Sequence, residues 1–193
     1  MATLTTLTLD ANGTIGANVD KQSGDPYYQN CNDDPDSAST DYIENDGSDT
    51  ATEAWFSLTD VDADFDSMDT LQIRVHGSIV NGAGTATLTA RIYDADNDTT
   101  NPLTSEITLI TTGDGSVLKN VAFGSLTGTK AQWNSAHIRF SWSGLFSFEK
   151  ARLNGCDFDG TYTAAAGGGQ KKIPSIIHSL GDGTGFPFAL ENR

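Results

Sequence analysis

Strict alternation of apolar and polar residues is the feature that most constrains this chain. In "LQIRVHGSIV" (residues 71–80), Leu71, Ile73, Val75 and Ile79 fall on one face, with Gln72, Arg74 and His76 opposite. A period of two matches a pleated strand with one buried face and does not match the 3.6-residue period of a helix. "TATLTARIYD" repeats the pattern with Ala86, Leu88, Ala90 and Ile92, and the "NGAG" between the two predicts a hairpin connection. "AWFSLTD" sets Trp55 opposite Phe56 and Leu58, and "AHIRFSWSG" sets Ile138, Phe140 and Trp142 on one face. "SEITLIT" and "SVLKNVAF" are further strands, and "LFSFEKARLNGCDFDGTYT" supplies the last one or two. The short "TKAQWNSA" predicts a turn carrying Trp133, and no segment reads as a helix of ordinary length.

Many short strands separated by turn residues define an all-β chain, an antiparallel β-sandwich of jelly-roll type. The expected organisation has three parts. Residues 1–40 form an opening strand in "TLTTLTL" and then an irregular N-terminal arm anchored by Tyr27 and Tyr28; residues 41–163 form the sandwich. Residues 164–193 form a Gly-rich linker and an extended C-terminal tail. The tail carries Ile173, Ile176, Ile177, Leu180, Phe186, Phe188 and Leu190, with Pro174 and Pro187 discouraging a long helix. Apolar surface on a tether is costly to leave in water, so these residues are expected to dock, on a partner subunit or on the chain's own sandwich.

Charge excludes partners. Eleven Lys and Arg scattered among 26 Asp and Glu leave a net charge of −15, which cannot supply the clustered cations that phosphate binding needs. Nucleic acid is therefore not an expected partner, and an anionic membrane surface is disfavoured for the same reason. No apolar run approaches the roughly 20 residues of a membrane-spanning helix, and "MATLTTLTLDANGT" has no basic segment leading into an apolar one, so no secretion signal is expected. Two cysteines, Cys31 and Cys156, read as separate thiols of a protein made in a reducing cytosol, although a pairing between them stays open.

"DVDADFDSMD" raises the question of a metal. Asp60, Asp62, Asp64 and Asp66 offer the oxygen ligands calcium takes, as do Asp94, Asp96 and Asp98. The EF-hand template fails at both places: Phe65 and Thr99 stand where its Gly is required, and Leu71 and Ser105 where its Glu is required. The expected reading is an acidic turn before a strand, with Phe65 and Met68 tucked inward; calcium is the single cofactor the residue types could take, and none is expected.

Catalytic patterns are weaker still. No G-x-S-x-G elbow occurs, and Ser175 and His178 lie in the tail, where nothing holds a site in place. His76 alternates with core residues and faces outward, while His137 opens a strand. "GSLTGTK" and "GDGTG" do not fit the phosphate-loop spacing. The expectation is a protein that is not an enzyme. Among the tryptophans, Trp142 shares its face with Ile138 and Phe140 and is expected in the core, whereas Trp133, in a polar segment, is the candidate platform for stacking a sugar.

"DYIENDGSDTATEAWFSLTD", "TLQIRVHGSI" and "HIRFSW…ARLNGCDFDGTYT" resemble the β-sandwich virion proteins of tailed bacteriophages. The resemblance covers roughly residues 41–163. It includes a late Trp-x-x-Ala-x-(Ile/Leu)-Arg step, here Trp133, Ala136, Ile138 and Arg139, and a closing Thr161-Tyr162. It implies a structural role in a virion assembled in the host cytoplasm, as a capsid decoration or cement subunit or a tail-associated one. The implied partners are other virion proteins, major capsid or tail, and further copies of the chain. A glycan-binding module for host adhesion, with or without calcium, is the alternative.

Overall fold

The computed structural model describes residues 1–4, 7–32, 34–36, 41–48, 50–80, 84–144 and 148–165. Its strands are β1 (Ala2–Thr3), β2 (Leu9–Ile15), β3 (Val19–Lys21), β4 (Ile43–Asn45), β5 (Thr52–Leu58), β6 (Phe65–Val80), β7 (Thr87–Tyr93), β8 (Ile107–Thr111), β9 (Ser116–Ala122), β10 (His137–Ser143) and β11 (Lys150–Ala164). The one α-helix among the described residues, α1, is a single turn at Lys130–Asn134.

Two antiparallel sheets face each other. One has the order β3-β4-β11-β6-β9, with β1 also pairing β11; the other has the order β2-β5-β10-β7-β8. The period-two pattern orients both. In β6, Leu71, Ile73 and Val75 are buried while Gln72, Arg74 and His76 are half-exposed on the outer face. In β10, Ile138, Phe140 and Trp142 are all fully buried, as their shared face requires. Core residues of the two sheets form one continuous cluster. Gly77 sits at the closest approach: a Cβ there would meet Ile110 of the other sheet at 2.1 Å and the Arg152 carbonyl at 2.4 Å.

Two expectations change, and the choice between one and two final strands is settled. The predicted "NGAG" hairpin is wrong, because β6 pairs with β11 and β9 while β7 pairs with β10 and β8 in the opposite sheet. β6 and β7 therefore lie in different sheets. The last strand is single, running 15 residues antiparallel to β6 from Lys150↔Val80 to Ala164↔Phe65, with a register shift between Leu153 and Gly155 that absorbs an extra residue. Residues 1–40 do not lie apart from the sandwich: β1 pairs β11, β2 pairs β5 and β3 pairs β4, so the segment contributes to both sheets. Tyr27 and Tyr28 do pack against the core, in a 3₁₀ turn at Tyr27–Asn30.

Trp55 is fully buried although it faces away from the core. Its ring lies 5.1 Å from that of Tyr93, with the Arg139 guanidinium 5.8 Å from one ring and 5.3 Å from the other. The loop after β7 reaches across to β2, where Asp96 accepts from the Thr14 amide at 2.9 Å and its hydroxyl at 3.0 Å.

Candidate functional site

The acidic stretch resolves into a turn and the start of a strand. Asp60, Asp62 and Asp64 belong to the connection after β5, while Asp66 already lies in β6, exposed. Phe65 and Met68 turn inward. The carboxylates are committed to different partners. Asp64 accepts from the Tyr162 hydroxyl at 2.6 Å, and Asp69 accepts from the Thr163 hydroxyl at 2.9 and 3.0 Å. The Asp64 bond, with burial and the nearby Asp62 charge, pushes the Tyr162 phenol up to about 12. The turn is tied down by the Val61 amide donating to Asn134 at 3.1 Å and by Lys130 donating to the Ala63 carbonyl. The second acidic run is dispersed likewise. Asp94 accepts from Gln132 at 3.3 Å, Asp96 from Thr14, and Asp98 from Thr100, whose hydroxyl and amide hold the Asp98 carboxyl below its usual range. Among the described residues no three or more His, Cys, Asp or Glu side chains group so as to hold a metal.

Trp133 is not a platform. It is fully buried on α1, donates its indole N–H to the Thr127 carbonyl at 3.0 Å and packs against Phe65 with centroids 6.4 Å apart. The polar segment that suggested exposure is the cap of the helix: the Thr129 hydroxyl accepts from the Gln132 amide while the Gln132 side chain accepts from the Thr129 amide. Polar residues here serve the backbone, and the tryptophan fills the sandwich end. Trp142 is in the core as expected, donating to the Ala151 carbonyl at 2.8 Å. Cys31 and Cys156 are both buried and unbridged, and the Cys156 amide donates to the Cys31 carbonyl at 2.9 Å. The tail residues Ile173, Ile176, Ile177, Leu180, Phe186, Phe188 and Leu190 lie outside the described residues.

Sequence reasoning missed the polar rungs on the outer face of the β6–β11 pair. Thr70 and Thr161 are directly opposed with hydroxyl oxygens 2.8 Å apart, and Gln72 donates to Asp159 across the next outward rung at 3.0 Å. The third rung pairs Arg74 with Asp157, and Arg74 also bridges to Asp36. Burial pushes the Asp157 carboxyl up, against the pull of Arg74, whereas the Arg74 bond holds Asp36 down. Beside the first two rungs, with Ala122 of β9 as its flank, lies a groove of about 220 Å³. Period-two reading labels these residues outward but does not say which strand pairs with which, so the rungs were invisible.

The sequence matches no known protein family, and no curated relative was found. Among solved structures, the chain is similar to the enzymatically active domain of tailspike protein 4 of bacteriophage CBA120, at 16% identity and a TM-score of 0.43. The match covers 80% of this chain and 19% of that one, so this chain spans about a fifth of the tailspike chain. The finding overturns one expectation: the matched domain is described as enzymatically active, and the assignment of this chain as a non-enzyme is withdrawn. At this identity and score the likeness transfers neither an activity nor a substrate.

Proposed function

We propose that the chain is a virion-associated β-sandwich subunit of a tailed phage that engages neighbouring virion proteins, capsid or tail, through its C-terminal segment. The observation that carries this reading is the run of apolar residues that follows the last described strand, β11. Every residue of the described core lies between Leu4 and Tyr162, and the Ala165 amide donates to the Asp64 carbonyl at 2.7 Å. The seven apolar residues named from Ile173 to Leu190 follow the last described strand in the sequence. Burying their apolar area against a neighbour would offset the entropy of ordering the segment.

The phage motif residues serve the sandwich itself, which supports a shared module. Trp133, Ala136 and Ile138 are buried end to end, and Arg139 clamps the outer cluster by donating to Glu106 at 2.9 Å. The experiment is deletion of residues 166–193 followed by measurement of incorporation into particles, with the far-ultraviolet spectrum and Tm as controls. Loss of incorporation by a folded variant is expected, and a particle image then separates head from tail. Undiminished incorporation of the truncated chain would sink the reading.

A further inference from the structure

We propose that the groove on the outer face of the β6–β11 pair binds a neutral saccharide through its ring hydroxyls, a site separate from the C-terminal segment. The groove holds about 220 Å³, the share of roughly seven liquid waters at about 30 Å³ each, which is the bulk of one hexose unit. Its floor is the strand backbone at the Leu71–Gly160 pair, with the Leu71 side chain turned into the core, and its flank is the small, exposed Ala122.

The walls supply matching polar groups. The Thr70–Thr161 and Gln72–Asp159 rungs are successive on one face, about 7 Å apart by strand geometry, a span that one pyranose ring with its hydroxyls bridges. Each rung is locked by its own cross-strand bond, 2.8 Å between the threonines and 3.0 Å from Gln72 to Asp159. Those bonds leave capacity unspent. The Gln72 amide keeps a second donor and its carbonyl acceptor, and the Asp159 carboxylate keeps its other oxygen. Sugar hydroxyls donate and accept at once, so they pair with this mixture of carboxylate, amide and hydroxyl groups. The side chains are held before the ligand arrives, which lowers the entropy lost on binding.

Charge narrows the class. Asp159 lines the groove, Asp157 lies on the next outward rung of β11, and Arg74 opposite it is occupied by Asp36 and Asp157. Phosphorylated and acidic sugars are repelled there. An apolar ligand would cover the second Asp159 oxygen and the remaining Gln72 donor without pairing them.

The test uses the full chain. ¹⁵N-labelled protein is titrated with neutral, acidic and amino monosaccharides and with lysine, at low and high salt. Neutral sugars are expected to shift amides of residues 70–72, 122 and 159–161, with little dependence on salt. Asp159→Ala should weaken binding by about ten-fold or more, the equivalent of one bond to a charged group. Ala122→Phe fills the groove from an exposed position, leaves every bond in place, and should abolish binding at unchanged Tm. Absence of shifts with every neutral sugar would overturn the proposal. So would binding indifferent to Ala122→Phe, or preferential, salt-sensitive binding of lysine, which would mark an acidic patch instead. Particle incorporation of the groove variants stays intact if the two sites are separate.

Discussion

Asn45 on β4 clamps Glu149 and Ala151 at the start of β11. Its side-chain amide donates to the Glu149 carbonyl at 2.8 Å, and its side-chain oxygen accepts from the Ala151 amide at 2.8 Å. Asn45 and Glu149 are both fully buried, so no water substitutes for either bond. The clamp holds the end of the chain's longest pairing, β6 with β11, and lies next to Phe148, whose φ of +70° is one that non-glycine residues rarely adopt. Asn45→Leu is expected to cost about 2–5 kcal/mol, since two buried backbone groups lose their partner together. Asn45→Asp keeps the acceptor for Ala151 and loses the donor, so it should fall between. Urea denaturation with an unchanged slope checks both; a Leu variant as stable as the parent would show that the clamp is dispensable.

Trp133 should behave as a core residue. Trp133→Ala removes a fully buried indole and its bond to Thr127, and a loss of about 3–5 kcal/mol is expected. Trp133→Phe keeps the contact with Phe65 and should lose less. Sugar titrations of the Phe variant should match the parent, because the groove on β6 and β11 does not involve this residue. A sugar response that disappears in Trp133→Phe while stability holds would restore the stacking reading.

Tyr162 gives stability an alkaline limit. Its phenol is ordinarily near 10.0, and in the fold the bond to Asp64 pushes it up to about 12. Below pH 10 both states keep the proton. Between pH 10 and about 12 the unfolded chain releases a proton that the folded chain retains, so stability falls as pH rises. Burial pushes the Cys156 thiol up from 9.0 and adds to the fall in the same sense. Tyr162→Phe should flatten the decline measured by denaturation from about pH 9 to about pH 11, and Cys156→Ala should remove the remaining early part. A slope unchanged in the Phe variant would refute the coupling to Asp64.

How much of this was legible in the sequence depends on the range of the forces involved. Alternation is local, so the strands around Ile73, Leu88 and Phe140 and the side each presents to the core could be read directly. Pairing is not local. Nothing in "NGAG" distinguishes a hairpin from a passage between sheets, because Val75 and Leu88 need only some buried face, and both sheets offer one. The strands in residues 1–40 were hidden for a related reason: β2 is an edge strand with mostly exposed residues, so it has little alternation to display. Trp133 was misread because a capping box and a solvent-exposed turn have the same composition. The groove depends on which residues of β6 and β11 stand opposite each other, and that register is set by the fold as a whole.

β9 is the edge of its sheet, and Lys119 on it points to the core side, opposite Val75. Its ammonium is tied to Asp114 at 2.5 Å. A charge aimed inward on an edge strand tolerates its own sheet, where it reaches out to water, but not a second sheet stacked on that edge, where it would be trapped. The flanking Val117 and Val121 and the exposed Leu118 would otherwise make "SVLKNVA" an attractive template for another strand. Lys119→Val should therefore leave the monomer close to its parent stability, within about 1 kcal/mol, since a half-buried pair at a sheet edge is still screened by water and the valine adds apolar contact. The same variant should associate with rising concentration, read as a growing mass in light scattering coupled to size exclusion. Lys119→Glu separates the causes: it removes the pair with Asp114 but keeps an inward charge, and it should stay at the parent's mass. Association of both variants to the same degree would assign the effect to the lost ion pair instead of the guarded edge.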